Sequence, residues 1–313
     1  MADERFVVSP SPHLLGARST RAIMLDVIIA LLPAAAASAF IFGIRTVAVI
    51  AMCVGVSVIT EYLFTLICRK PVSVDDLSAC VTGLLLALNL PSGIPLWQAA
   101  VGSVFAIAVV KCLFGGIGQN FANPAITARI MMIIAFTGSM STFGQALGAD
   151  TASSATPLQI IASGASDTLP SIGDMLLGLR SGSLGETCAV ALIAGGIYLV
   201  CRKVISWATP VAFIGTVFVF SLIIKGDPVS AVYQVLGGGL LIGAIFMATD
   251  YSTTPTGTAG KLIFGFGCGL ITCLIRFWGS YPEGVSFSIL LMNILTPYID
   301  KWTRRKPVGG AKA

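Results

Sequence analysis

The sequence is poor in charge. Only 11% of its 313 residues are Asp, Glu, Lys or Arg, against roughly 25% in soluble domains, which excludes an ordinary water-soluble globule. It carries one histidine, His13, and its eight cysteines include no Cys-x-x-Cys pair. A metal-ligand set or disulfide framework is therefore not expected, and the cysteines read as small packing residues between helices. No nucleic-acid motif is present. The first residues, MADERFVVSPSPHLLGARSTR, hold acids and prolines with no small-residue cleavage pattern, so no cleaved signal peptide is expected.

Hydrophobic residues make up 56% of the chain, and mean hydropathy is +0.92. Apolar runs recur along its whole length, as in a bundle crossing a hydrocarbon core about 30 Å thick. The predicted spans are 22–42, 47–68, 78–90, 96–113, 124–136, 187–201, 208–224, 231–248, 261–276 and 285–299. This makes an all-α polytopic membrane protein of about ten transmembrane helices. SACVTGLLLALNL and PAITARIMMIIAF are too short to cross unaided. They predict broken or re-entrant segments whose free backbone groups are satisfied inside the bundle.

With the N-terminus in the cytoplasm, fourteen of nineteen basic residues fall inside. Arg45, Arg180, Lys225 and Arg276 fall outside, and Arg129 lies within a span. The positive-inside rule favours this orientation, with both termini cytoplasmic. It also accounts for the net charge of +5. TGLLLALNLPSG, a span, a Gly-rich turn and NPAITARIMMI echo GGLLIGAIFMATDYSTTPTG, a span, FWGSYPEG and VSFSILLMNI. Five spans per half make the repeats inverted, an arrangement that puts sites at the repeat interface. The predicted organisation is a cytoplasmic segment (1–21), a first five-span repeat (22–136), an extracytoplasmic loop (137–185), a second repeat (186–300) and a basic cytoplasmic tail (301–313).

The loop contains DTASSATPLQ, Asp150 to Gln159. From the residues alone this is a Ser/Thr-rich solvent loop, in which Pro157 biases Thr156 toward an extended backbone with its hydroxyl outward. Asp150-x-x-Ser153-Ser154-Ala155-Thr156 also resembles the flavinylation motif of the family formed by the D subunits of Rnf complexes and the B subunits of sodium-pumping NADH:quinone oxidoreductases. GGIGQNFANPA (115–125), FMATDYSTTP (246–255) and IRFWGSYPEGVSFSILLMNI (275–294) resemble family blocks in family order, so the resemblance covers nearly the whole chain. Ser154 stands where the motif has glycine.

The resemblance implies FMN joined through its phosphate to Thr156 by a flavin transferase, with Asp150 serving recognition by that enzyme. It implies a second, noncovalent flavin, riboflavin. Gln119, Asn120 and Asn123 offer donors and acceptors suited to a flavin edge. Asp250, Thr249 and Thr253 either complete that pocket or cap and turn a span end. Arg276 and Tyr281 lie near the implied FMN, Arg276 either opposing its phosphate or acting as an interfacial anchor with Trp278 and Tyr281. Asp26 and Glu61 either sit on a cation path or are structurally paired. Arg129 either sits beside the inner flavin or snorkels to the inner face.

The implied function is a flavin-carrying component of a bacterial or archaeal cytoplasmic-membrane complex, alongside the A, B, C, E and G subunits of Rnf. That complex would relay electrons between ferredoxin and NAD, coupled to Na or H translocation. Without the resemblance, the alternatives are a secondary transporter or channel for a small solute, or a membrane scaffold. A quinone-reducing relative is disfavoured because the first span begins near residue 22.

Overall fold

Gly43 sets the first turn of the fold. Helix α1 (Thr20–Phe42) is capped by the Ser19 hydroxyl and ends where Gly43 adopts φ 81°, its N–H bonding back to Ala39. A left-handed glycine closes a helix at no steric cost. Here α2 (Ile44–Ile67) starts at the next residue and packs back along α1. The computed structural model describes residues 19–69, 73–144, 155–163, 169–186, 188–279 and 283–304.

The first half continues with α3 (Ser78–Leu88), α4 (Leu96–Val104), which runs on as a π-helical stretch Phe105–Cys112, and α5 (Pro124–Ala135). Short helices α6 (Thr137–Ser141), α7 (Pro157–Ser163) and α8 (Ile172–Leu177) follow. The second half holds α9 (Ala189–Cys201), α10 (Ala208–Lys225), α11 (Pro228–Leu236), α12 (Leu240–Ile242) with a π-helical continuation Gly243–Met247, α13 (Thr258–Trp278) and α14 (Val285–Thr303). Each predicted span falls on helix, with 96–113 running through α4 into its π stretch and 231–248 divided between α11 and α12 with its π continuation.

The chain is an all-helical, multi-pass membrane protein. Helices α1, α2, α10 and α13 are long and apolar enough to cross a membrane, and α11 with α12 forms a further span bent by 63°. Helices α3, α5 and α9 are too short to cross alone. The contact pattern of the first five segments recurs in the second five: α2 lies along α4 and its π stretch as α10 lies along α13. Helix α5 then packs on that π stretch as α14 packs on α13, while α1 meets α9 and α5 meets α14 across the halves.

Two breaks interrupt this bundle. Gly237, Gly238 (φ 67°) and Gly239 (φ 65°) separate α11 from α12, and residues 89–95 separate α3 from α4. An unpaired backbone group in hydrocarbon costs several kcal/mol, so each break needs partners from the protein. Arg276 donates to the Gln234, Gly237 and Gly238 carbonyls. Arg180 donates to Leu236 O at 2.7 Å, and Glu186 accepts from Gly238 N. At the other break, Leu184 N and Gly185 N donate to Leu90 O and Leu88 O, and Arg45 donates to Gly93 O.

Residues 180–186 thus sit between the two breaks and serve both, and all seven are buried. This corrects the expectation of a solvent loop reaching residue 185: its last residues form a plug inside the bundle. Arg180, assigned to the outer loop by charge counting, is 3% exposed.

Candidate functional site

Two polar regions stand out, one at each end of α5. The first begins with Asn123, the N-cap of that helix, whose Oδ1 accepts from Ala125 N and Ile126 N, with Pro124 at the first helical position. This is a regular helix start. Its Nδ2 donates to Met247 O at 3.3 Å, where the second π stretch ends. The latch draws Asn120 and Asn123 together with Thr249 and Asp250 around one cleft of ≈ 90 Å³.

Apolar side chains, among them Leu85, Leu199 and Phe246, line the rest of the cleft. Both π stretches contribute to it, through Lys111 and Phe246, and such segments are frequent at functional sites. The Asn120 Oδ1 is buried with no hydrogen-bond partner. A buried acceptor left unmatched costs about 1–3 kcal/mol, so this atom fits a hydrogen-bond donor on a ligand.

Asp250 Oδ2 accepts from Ser252 Oγ at 3.0 Å and Thr253 Oγ1 at 3.3 Å. Burial pushes its carboxyl above the ordinary range, opposed by these bonds. Behind the cleft, Lys111 Nζ donates to both oxygens of Glu61 at 2.8 and 2.9 Å and to Ser78 Oγ. Both members of the pair are essentially fully buried.

The second region surrounds Thr156. Its N–H donates to Gln159 Oε1 at 2.8 Å, while its Oγ1 accepts from Gln159 N at 3.4 Å. This is a capping box, with Pro157 at the first position of α7. Thr156 is 2% exposed, which corrects the expectation that Pro157 turns the hydroxyl outward. Thr-Pro-Leu-Gln carried that signal in the sequence. Leu158 packs against Gly237 and Gly238 of the broken span, beside the Arg276 guanidinium. Gln159 also lines a mainly apolar cleft with Met140, Phe143, Phe287 and Glu283.

A polar thread joins the two regions. Glu283 is ion-paired with Arg129, whose NH1 donates to Asn89 Oδ1 at 2.7 Å. Asn89 Nδ2 reaches Met247 Sδ at 3.5 Å, next to the carbonyl that Asn123 holds.

Residues 7–309 match the NQR2, RnfD, RnfE family. The chain belongs to this family. It is 45% identical to the D subunit of the Na(+)-translocating ferredoxin:NAD(+) oxidoreductase complex of Acetobacterium woodii, over 100% of this chain and 98% of the relative. It is 43% identical to the D subunit of the proton-translocating ferredoxin:NAD(+) oxidoreductase complex of Clostridium ljungdahlii, over 96% and 95%. The D subunit of an ion-translocating oxidoreductase complex from Actinobacillus succinogenes is 33% identical over 97% and 98%.

Within this NQR2, RnfD, RnfE member, Asn120, Asn123, Thr249 and Asp250 line one cleft, but two expected neighbours do not. Gln119 is exposed and folds its side chain over Gly115. Thr253 turns its hydroxyl to Asp250 and its carbonyl to Thr296. Arg276 is engaged with the carbonyls of the break, with Leu158 of α7 beside it at Gly238. Ala155 is half-buried beside the cap. Asp150, Ser153, Ser154 and Tyr281 lie outside the described residues.

For the charges in spans, pairing is what the structure contains. Asp26 accepts from Tyr198 OH at 3.0 Å and from Arg202 at 3.2 Å, and Glu61 holds Lys111. Arg129, at 4% exposed, does not snorkel: it is buried against Glu283 and Asn89. Sequence reasoning missed Glu283 and the part Lys111 plays behind the cleft. For Lys111 the available signal was a lysine and a glutamate each inside an apolar run, which require one another.

Proposed function

We propose that this chain is the flavin-carrying membrane subunit of an ion-translocating ferredoxin:NAD oxidoreductase complex. Electrons pass from reduced ferredoxin through partner subunits to this chain and on toward NAD, coupled to Na or H translocation. FMN is held at Thr156 by a phosphoester formed by a flavin transferase, and riboflavin sits noncovalently in the cleft at Asn120 and Asn123. The A, B, C, E and G subunits complete the complex in a bacterial or archaeal cytoplasmic membrane, with both termini of this chain cytoplasmic. The relatives named for Na and for proton translocation are nearly equally similar, so similarity does not choose the ion.

The observation that carries this reading is the cleft in which two distant family blocks meet around the unpartnered Asn120 Oδ1. Bound flavin supplies one- and two-electron transfer. The chain's own residues do the rest: Asn120 offers its unmatched acceptor, Asn123 holds the two sides of the cleft together through Met247, and Leu85 and Phe246 exclude water. Near Thr156, Phe143 and Phe287 offer apolar walls for a tethered ring. Since the Thr156 hydroxyl is buried as a cap, attachment requires either an opened cap or modification before α7 docks.

The test is flavin fluorescence of the denatured chain beside Thr156→Val, with intact mass on both and noncovalent flavin measured in the supernatant. Wild type should carry one covalent FMN and release riboflavin. Thr156→Val should lose only the covalent flavin, and Asn120→Ala only the released one. No flavin in any sample from a host with an active transferase would reject the reading and bring solute transport forward.

A further inference from the structure

Among the described residues, Glu283 is the one ionisable side chain lining the cleft that Gln159 shares. Gln159 exchanges two hydrogen bonds with Thr156, so one side chain links this cleft to the threonine. Its Oε2 accepts from Arg129 of α5. The other charges that face it are Arg180 and Glu186 of the plug and Arg276 of α13. Three cations and one other anion therefore surround it, in a region where the Nε atoms of all three arginines are buried without partners.

We propose that Glu283 is the proton acceptor that compensates electron arrival in the cleft beside Thr156, an inference that rests on the flavin assignment at that threonine. When a one-electron iron–sulfur donor is oxidised and its electron enters the ring, the cleft gains one negative charge. A hydronium ion from solvent then gives up its proton, leaving water; an O–H bond forms on the Glu283 carboxylate, and the net charge of the cleft is restored. The carboxylate oxygen already engaged by Arg129 keeps the group in place in either state. Burial pushes the Glu283 carboxyl up, Arg129 pulls it down and Glu186 pushes it up again, and a negative charge added nearby raises it further.

Glu283 is a charge-compensating residue and not a ligand of the ring. Its protonation also removes the counter-ion of Arg129, whose next partner is Asn89 on the thread toward the other cleft. The device therefore lies where the electron and the buried charge network meet.

The test is redox titration of the full-length chain across pH, reading the flavin component that Thr156→Val lacks, in wild type, Glu283→Gln and Glu283→Asp. In wild type the midpoint should equal that of Glu283→Gln at acid pH, where the carboxyl is neutral in both redox states. As pH rises the wild-type midpoint should fall below it, by up to about 59 mV per pH unit for one proton per electron, and then run parallel. Glu283→Asp should restore a pH-dependent gap with a shifted onset. A gap that is constant at every pH, or absent, would overturn the proposal. A wild-type chain with no Thr156-dependent flavin would reject the flavin assignment instead, and the proposal with it.

Discussion

Asn123 holds Met247. A single side chain caps the start of α5 with its oxygen and, with its nitrogen, grips the carbonyl that ends the second π stretch. It ties the two halves of the chain together at the cleft. Replacing it with alanine removes an N-cap worth about 1 kcal/mol and leaves a buried carbonyl unpaired at about 1–3 kcal/mol. Asn123→Ala should therefore destabilise the chain by about 2 kcal/mol, and Asn123→Ser, which keeps the cap, should recover roughly half. Thermal unfolding in detergent measures both. An alanine variant as stable as wild type would mean that the latch contributes nothing.

The Glu61–Lys111 pair makes a different demand. Removing one partner of a buried ion pair strands the other charge, at about 3–5 kcal/mol, whereas replacing both is often near neutral. Glu61→Gln and Lys111→Met should each destabilise strongly, and the double variant should be closer to wild type than either. A double-mutant cycle on unfolding midpoints gives the coupling directly. Additive effects would show that the 2.8 Å contact is not what keeps these residues inside.

The helices and the Asn120–Asn123–Asp250 cleft were legible because their signals are local: apolar runs, an Asn-Pro helix start, and two polar blocks that echo each other. The partners of the breaks were not. Nothing local says that Leu184 N and Gly185 N will meet the end of α3, or that Arg180 and Arg276 will serve one glycine turn. Charge counting places such residues on a side of the membrane and is blind to burial. Thr156 shows the converse: Thr-Pro-Leu-Gln encodes a capping box, while the small polar residues before it favour an open loop.

Gly238 is strained territory for any other residue. Its φ of 67° costs an L-residue about 1–2 kcal/mol, and an added Cβ would collide with the Arg276 guanidinium and a Leu158 methyl. Gly238→Ala should lower stability by more than about 2 kcal/mol, strain and overpacking together, and loosen α7 from the broken span. Limited proteolysis near Leu158 tests the second effect. The neighbouring Gly237→Ala lacks the positive φ, and its Cβ would sit at 3.0–3.1 Å from Tyr233 O and Leu158, so it should cost less. Equal losses would argue that backbone conformation is not the determinant.

Asp250 predicts a pH dependence with a definite sign. Burial raises its carboxyl in the folded chain above the ordinary carboxylate range, so the folded state holds this proton more tightly than the unfolded state does. The associated stability is fully present below the unfolded pKa and is lost as pH rises through the folded value. Asp250→Asn keeps an oxygen for Ser252 and cannot ionise. It should therefore match wild type at acid pH and become the more stable of the two as pH rises from the unfolded pKa toward the folded one, levelling off above it. Unfolding midpoints of both chains from about pH 4 to about pH 8 check this, a window that starts near the ordinary carboxylate pKa. If wild type gains stability relative to Asp250→Asn as pH rises, the carboxylate is stabilised in the folded chain, and hydrogen bonds from Ser252 and Thr253 outweigh its burial.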